Sequence, residues 1–145
     1  MDEKFELLEH VYKDASMGEY TIEKLLEKLK DRDNKIKGYV EDLLKEYQQF
    51  AEKSREKLKE NNQDIKDPGI FAKMGSSMGI SKEVKEDNSD SAIADMLIEG
   101  MNMGVLKMQK KIKAYDKELD KDNKKLAEDF LKFQEKSVKE LEKYL

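Results

Sequence analysis

Residues 5–29 read FELLEHVYKDASMGEYTIEKLLEKL. Within them Leu8, Val11, Ala15, Gly18, Ile22, Leu25 and Leu29 recur at steps of three and four, and Phe5, Tyr12 and Leu26 widen the stripe. Such steps gather apolar side chains on one face of an α-helix and leave the charged residues on the other. The stretch therefore predicts a core-facing helix over roughly residues 3–30. Asp31-Arg32-Asp33-Asn34 should end it, with Asp33 or Asn34 capping the next helix by accepting from its free N–H groups.

The same pattern returns three more times. Ile36, Tyr39, Val40, Leu43, Leu44, Tyr47, Phe50, Ala51, Ser54 and Leu58 share one face of a second helix, over roughly residues 34–60. Ile93, Met96, Leu97, Gly100, Met101, Gly104, Met108, Ile112 and Tyr115 mark a third over about 91–117, entered from a cap at Ser89 or Ser91. Leu126, Phe130, Phe133, Ser137, Leu141 and Tyr144 mark a fourth over about 122–144. Gly100 and Gly104 lie one turn apart, which suits close approach of a large side chain, a Tyr or Phe, from a neighbouring helix.

Between the second and third helices, residues 61–91 hold the breakers Pro68, Gly69, Gly75 and Gly79 and the run Asp87-Asn88-Ser89-Asp90-Ser91. Ile70, Phe71, Met74, Met78 and Ile80 keep helical spacing, so a short helix over about 69–85 is expected inside a long crossover. Residues 65–86 are also expected to act as a mobile lid over apolar side chains. Gly75-Ser-Ser-Met-Gly79 follows no strand and lacks a suitably placed Lys, so it reads as a helix breaker rather than a phosphate loop.

Composition narrows the function. The 145 residues suffice for one domain with one core, an all-α bundle of four long helices. Charged residues make up 43% and hydrophobic residues 37%, yet Lys and Glu alternate along every segment and the net charge is −4. No basic stripe exists to follow a nucleic-acid backbone. The absence of Cys removes disulfides, thiolate metal sites and cysteine nucleophiles. No stretch approaches the ~20 apolar residues of a membrane span, and the acidic N-terminus has no signal-like apolar region, so a cytoplasmic protein without a membrane partner is expected. With one His, no Trp and no recognisable nucleophile–base pair, the residues lean against an enzyme and name no catalytic group.

Two hairpins joined by a long crossover is the layout of ferritin-like bundles. The residues carry the likeness further: Asp14-Ala-Ser-Met-Gly-Glu-Tyr-Thr-Ile-Glu23, Glu46-Tyr-Gln-Gln-Phe-Ala-Glu52 and Ala94-Asp-Met-Leu-Ile-Glu-Gly-Met-Asn-Met-Gly104 resemble the first three helices of small ferritin-like proteins from spore-forming Gram-positive bacteria. The resemblance implies an antiparallel four-helix bundle descended from di-iron proteins. In those, each hairpin gives one Glu from its first helix and a Glu-x-x-His from its second. Here Glu19 and Glu99 match the lone Glu positions. Glu46 is followed three residues on by Gln49 and Glu128 by Leu131, so both histidines are missing. The single His, His10, lies about two and a half turns from Glu19 and reads as a boundary residue.

The resemblance thus implies a degenerate di-iron motif and a non-catalytic binding or structural protein with no cofactor. The alternative is an all-carboxylate metal bundle for iron or manganese, with storage or oxidase character, on Glu19, Glu46, Glu99 and Glu128. Met74, Met78, Met96, Met101, Met103 and Met108 cluster in the crossover and the third helix, where thioethers fill irregular space or line an adaptable groove. A homo-oligomer or partner protein is expected on the face of Gly100, Met101, Gly104 and Met108.

Overall fold

The structure, a computed structural model, describes residues 3–65, 89–115 and 121–145. It holds four helices, α1 (Glu3–Lys28), α2 (Lys37–Glu60), α3 (Asp90–Tyr115) and α4 (Lys121–Glu142), and no strand among the described residues. The expected short helix over 69–85, the lid, the 75–79 loop, Met74 and Met78 all lie outside the described residues. No helix among the described residues is long and apolar enough to cross a membrane.

The apolar stripes meet in one cluster. Leu8, Val11, Ala15, Ile22 and Leu25 of α1 close against Val40, Leu43, Tyr47 and Leu58 of α2, with Ile93, Met101 and Met108 of α3 and Phe130 and Leu141 of α4 completing the core. In α4 the buried line is Asn123, Ala127, Phe130, Gln134, Ser137 and Leu141, a strict alternation of four and three steps. Phe133 and Tyr144, expected on that line, pack at its edge. Ser137 on this line explains itself locally, its Oγ donating to the Phe133 carbonyl at 2.7 Å, and in α2 Ser54 Oγ does the same to Phe50. A hydroxyl bonded back to the preceding turn can be buried without a stranded donor.

The main packing is α1 on α2 and α3 on α4. Across the two pairs, α1 touches both α3 and α4, α2 touches α4, and α2 and α3 stay apart. The cross-section is therefore a rhombus with α1 and α4 on its short diagonal. Rings stitch α2 to α4: Tyr39 stacks on Tyr144 with centroids 6.1 Å apart, Tyr47 meets Phe133 edge-on at 5.0 Å, and Phe50 meets Phe130 at 5.1 Å. As numbers rise along α2 their partners on α4 fall.

The start of α2 departs from expectation. The helix begins at Lys37 rather than near residue 34, and neither Asp33 nor Asn34 caps it. Ile36, buried in the core, occupies the cap position with no side-chain bond of its own, and the first turn of α2 carries no acid. The missing acceptor comes from the other hairpin: Asp90 Oδ1 accepts from the Ile36 N–H at 3.4 Å and from Asn34 Nδ2 at 3.0 Å. A carboxylate there satisfies an orphan donor and faces the positive end of the helix. Ser89 Oγ accepts from the Ala92 N–H at 3.1 Å and caps α3 itself. At the far end of α2, Asn62 takes φ 56°, and the Gln63 N–H closes back on the Leu58 carbonyl at 2.9 Å, a left-handed stop for which Asn is well suited.

Because Asp90 serves two chain segments at once, Asp90→Ala should lower stability by about 1 kcal/mol in urea unfolding, as loss of a helix cap does. Asp90→Asn, which keeps an acceptor oxygen, should retain more than half of that. Equal losses in both variants would show that the carboxylate charge, not the bond, holds the turn.

Candidate functional site

Each hairpin carries a glycine beneath a large side chain of the helix it pairs with. On α1, Gly18 lies under the Tyr47 ring of α2 so closely that a Cβ there would sit 2.5 Å from two ring carbons. On α3, Gly104 lies under the Gln134 amide of α4, and a Cβ would come within 2.9 Å of its nitrogen. The expectation that an aromatic side chain would cover Gly100 and Gly104 is therefore corrected: the aromatic covers Gly18, an amide covers Gly104, and none of the described residues comes within 4 Å of a Cβ built at Gly100.

Tyr47 and Gln134 also meet each other through a hydrogen bond between hydroxyl and amide. The sequence Gly18, Tyr47, Gln134, Gly104 is thus one layer crossing all four helices. Asp14, one turn before Gly18, lies near the phenol, and His10 lies one turn earlier, with its Nε2 3.2 Å from Asp14 Oδ2. Those two atoms are buried and off the line of a hydrogen bond, so the contact is electrostatic rather than directed. Burial pushes the Tyr47 phenol from 10.0 up to about 12; the Gln134 bond pulls the other way, and the Asp14 charge adds to the rise. Half-buried Tyr39 is raised for the same first reason, although Ser137 bonds to it.

The layer is closed where α1 meets α2, α2 meets α4 and α4 meets α3. On the remaining side, between α1 and α3, a half-open groove of about 380 Å³ reaches down to Tyr47 and Gln134. Met17, Gly18 and Ile22 form one wall; Met96, Gly100 and Met103 form the other. Gln134 is 4% exposed, yet its Oε1 has no hydrogen-bond partner among the described residues. A buried amide oxygen left in this state costs roughly 1–3 kcal/mol, and a ligand that donates to it would recover that loss.

The residues expected to form a metal site are not gathered there. Glu19 is half-buried on α1 and Glu99 is exposed on α3. Glu46 is exposed and opens onto a different groove, between α2 and α4, beside Asp42, Lys132 and Lys136. Glu128 borders a third depression with Gln109 and Ile112. Among the described residues no group of three or more His, Cys, Asp or Glu could hold a metal ion. Of the four residues expected to form a partner face, Met101 and Met108 are buried in their own core and Gly104 is covered by Gln134, leaving Gly100 exposed. The exposed apolar side chains of α3 are instead Met103 at 64% and Leu106 at 53%.

Gln134 and the pairing of Tyr47 with Gly18 went unread in the sequence. A signal existed for both: Gly18 and Tyr47 each sit on a core stripe, and Gln134 falls four residues after Phe130 and three before Ser137. A glycine and a tyrosine on facing stripes is a lock-and-bump pair, and a glutamine on a stripe needs a partner across the core.

The two exchanges Gly→Ala on the groove walls should have opposite signs. Gly100→Ala meets open space and should stabilise the fold by up to about 1 kcal/mol through helix propensity. Gly18→Ala must displace the Tyr47 ring and should destabilise by about 1–3 kcal/mol in thermal or urea unfolding. The raised Tyr47 phenol gives a second expectation. Between pH 10.0 and about 12 the unfolded chain has released that proton while the folded chain still holds it, so stability falls as pH rises through this window. Tyr47→Phe should fall less steeply over the same range, and tyrosinate absorbance should show one late-titrating tyrosine that vanishes in the variant.

Compared with protein-family models, with curated proteins and with solved structures, the chain matches none.

Proposed function

We propose that this chain is an antiparallel, ferritin-like bundle acting as a non-catalytic binding protein, and that its binding site is the groove between α1 and α3. The observation that carries the reading is the groove itself: about 380 Å³, walled largely by methionines and glycines, with the buried Gln134 Oε1 on its floor and Asp14 Oδ2 beside it, both without a hydrogen-bond partner among the described residues. Small-molecule sites have this character, mostly apolar with a few placed polar groups, and span about 300–1,000 Å³. Methionine walls adapt to an occupant's shape at little cost. The opposed directions of α2 and α4, and the pairing of α1 with α2 and α3 with α4, support the ferritin-like layout. Loss of a di-iron centre fits a middle layer made of a phenol, an amide and two glycines.

The same α3 surface supports a second use. Met103 and Leu106 are separated by one turn and exposed, which suits pairing with another copy or a partner helix. Sedimentation with and without a bound small molecule separates the two uses, because an occupant between α1 and α3 leaves Leu106 free.

The deciding experiment uses Nile red, an uncharged apolar fluorophore. Wild-type chain should show saturable, one-site emission enhancement, and Gly100→Phe, whose ring would enter the open space above α3, should abolish it while keeping the helical spectrum. Unsaturable or absent enhancement rejects the groove. Titration with iron(II) and manganese(II) tests the carboxylate alternative: stoichiometric binding that disappears in Glu19→Ala would replace the proposed reading with a metal bundle.

A further inference from the structure

The groove is polar at one end and apolar at the other. Asn34 of the α1–α2 turn bonds to Asp90 at the start of α3, so α3 sets out from the end of the bundle where α1 finishes. Met96 and Leu97 therefore lie toward that end with Ile22, whereas Lys107 lies eleven residues on, about 16 Å along the axis, toward Asp14. Gln134 and Tyr47 belong to the Lys107 end, since the Gln134 amide rests on Gly104.

The polar end imposes requirements on a head group. Asp14 and Lys107 set opposite charges there, so a charged head gains from one what it loses to the other, while leaving water costs it hydration that an uncharged head does not lose. The Gln134 amide offers one end to Tyr47 and leaves the other unmet, whichever way its oxygen and nitrogen are turned. An uncharged group that both donates and accepts satisfies either orientation. Beyond it the lining is mostly aliphatic and thioether, from Ile22, Met96, Leu97 and Met101, with the Thr21 side chain among them.

We propose that the groove takes a medium-chain amphiphile with an uncharged head that donates and accepts, a primary alcohol or primary amide, its head on the Gln134 amide and its chain between Ile22 and Met96. This rests on the groove being a binding site and adds what binds and which way round it lies. The head displaces no protein bond; it fills the one hydrogen-bond vacancy of the central layer. The chain covers apolar surface that the bundle leaves open to water.

The test titrates the full chain by calorimetry with 1-octanol, octanamide, octanoate and octylammonium at neutral pH. The alcohol and the amide should bind, and the two charged ligands should bind about tenfold more weakly, a difference of about one unit in log Kd. Gln134→Leu should weaken 1-octanol about fivefold, the worth of one hydrogen bond. Nuclear Overhauser contacts in the wild-type complex should join the octanol terminal methyl to Met96 and its head to the Gln134 amide, a readout that needs no variant to fold. Equal binding of all four ligands, or a head seated beside Met96, overturns the inference while the groove stands on its Nile red signal. Nile red binding with no binding of either neutral amphiphile also overturns it. Failure of every probe, Nile red included, removes the groove reading beneath it.

Discussion

The Tyr47 ring lying on the bare backbone of Gly18 is the contact around which this bundle is arranged. No other residue at position 18 lets α1 and α2 come so close at mid-height, and the closeness places a phenol at the centre of the core. From there the consequences run outward. The hydroxyl needs a partner, which Gln134 supplies; the amide needs room, which Gly104 supplies; and both hairpins are thereby set at one height along the axis. Phe130 and Phe133 pack against the Tyr47 ring and extend the seam between α2 and α4.

That arrangement divides the molecule's strength unevenly. Within each hairpin the helices pack along their lengths, while between hairpins the joints are local: the aromatic group on α2 and α4, the central polar layer, and the Asp90 carboxylate at the start of α2. The surface ion pairs add little to this, since Glu9 with Lys13, Lys125 with Asp129 and Glu140 with Lys143 each join residues three or four apart in sequence and are partly or fully in water. The groove opens on the side of the rhombus between α1 and α3. An occupant there would bridge α1 and α3, so binding energy would appear directly as resistance to separation of the hairpins.

Much of this was legible in the residues, and the parts that were not share a cause. The stripes placed the helices because burial of an apolar face is a one-dimensional signal, carried by spacing along a single segment. Gly18 with Tyr47, Gln134 with Gly104, and Asp90 with Ile36 are pairings between segments, and spacing within one helix is silent about which residue of another helix stands at the same height. Gly100 and Gly104 looked equivalent from one turn apart, yet one is exposed and the other covered, because a rotation of 400° over four residues leaves them on neighbouring but distinct lines of the helix surface. Asp33 and Asn34 looked like caps for α2 because they precede it, but the chain turns with Ile36 driven into the core, and the acceptor is drawn from the start of α3 instead.

The character of the central layer bears on the kind of work proposed for it. Inward carboxylates at the middle of a bundle repel one another and are stable there when a metal ion neutralises them, which couples such a core to its cofactor. A phenol and an amide need no ion. Burying them costs far less than burying charge, and the cost is met by their bond to each other except at one atom. A core built this way keeps a directional hydrogen-bonding vacancy at Gln134 beneath a largely apolar cleft. Such a vacancy is tied through its amide to one ionisable group, Tyr47, pushed up to about 12. It can discriminate among occupants, because a guest that leaves the oxygen unmet forfeits what a matching guest gains, and that difference is the physical basis of selectivity in a site with few polar contacts.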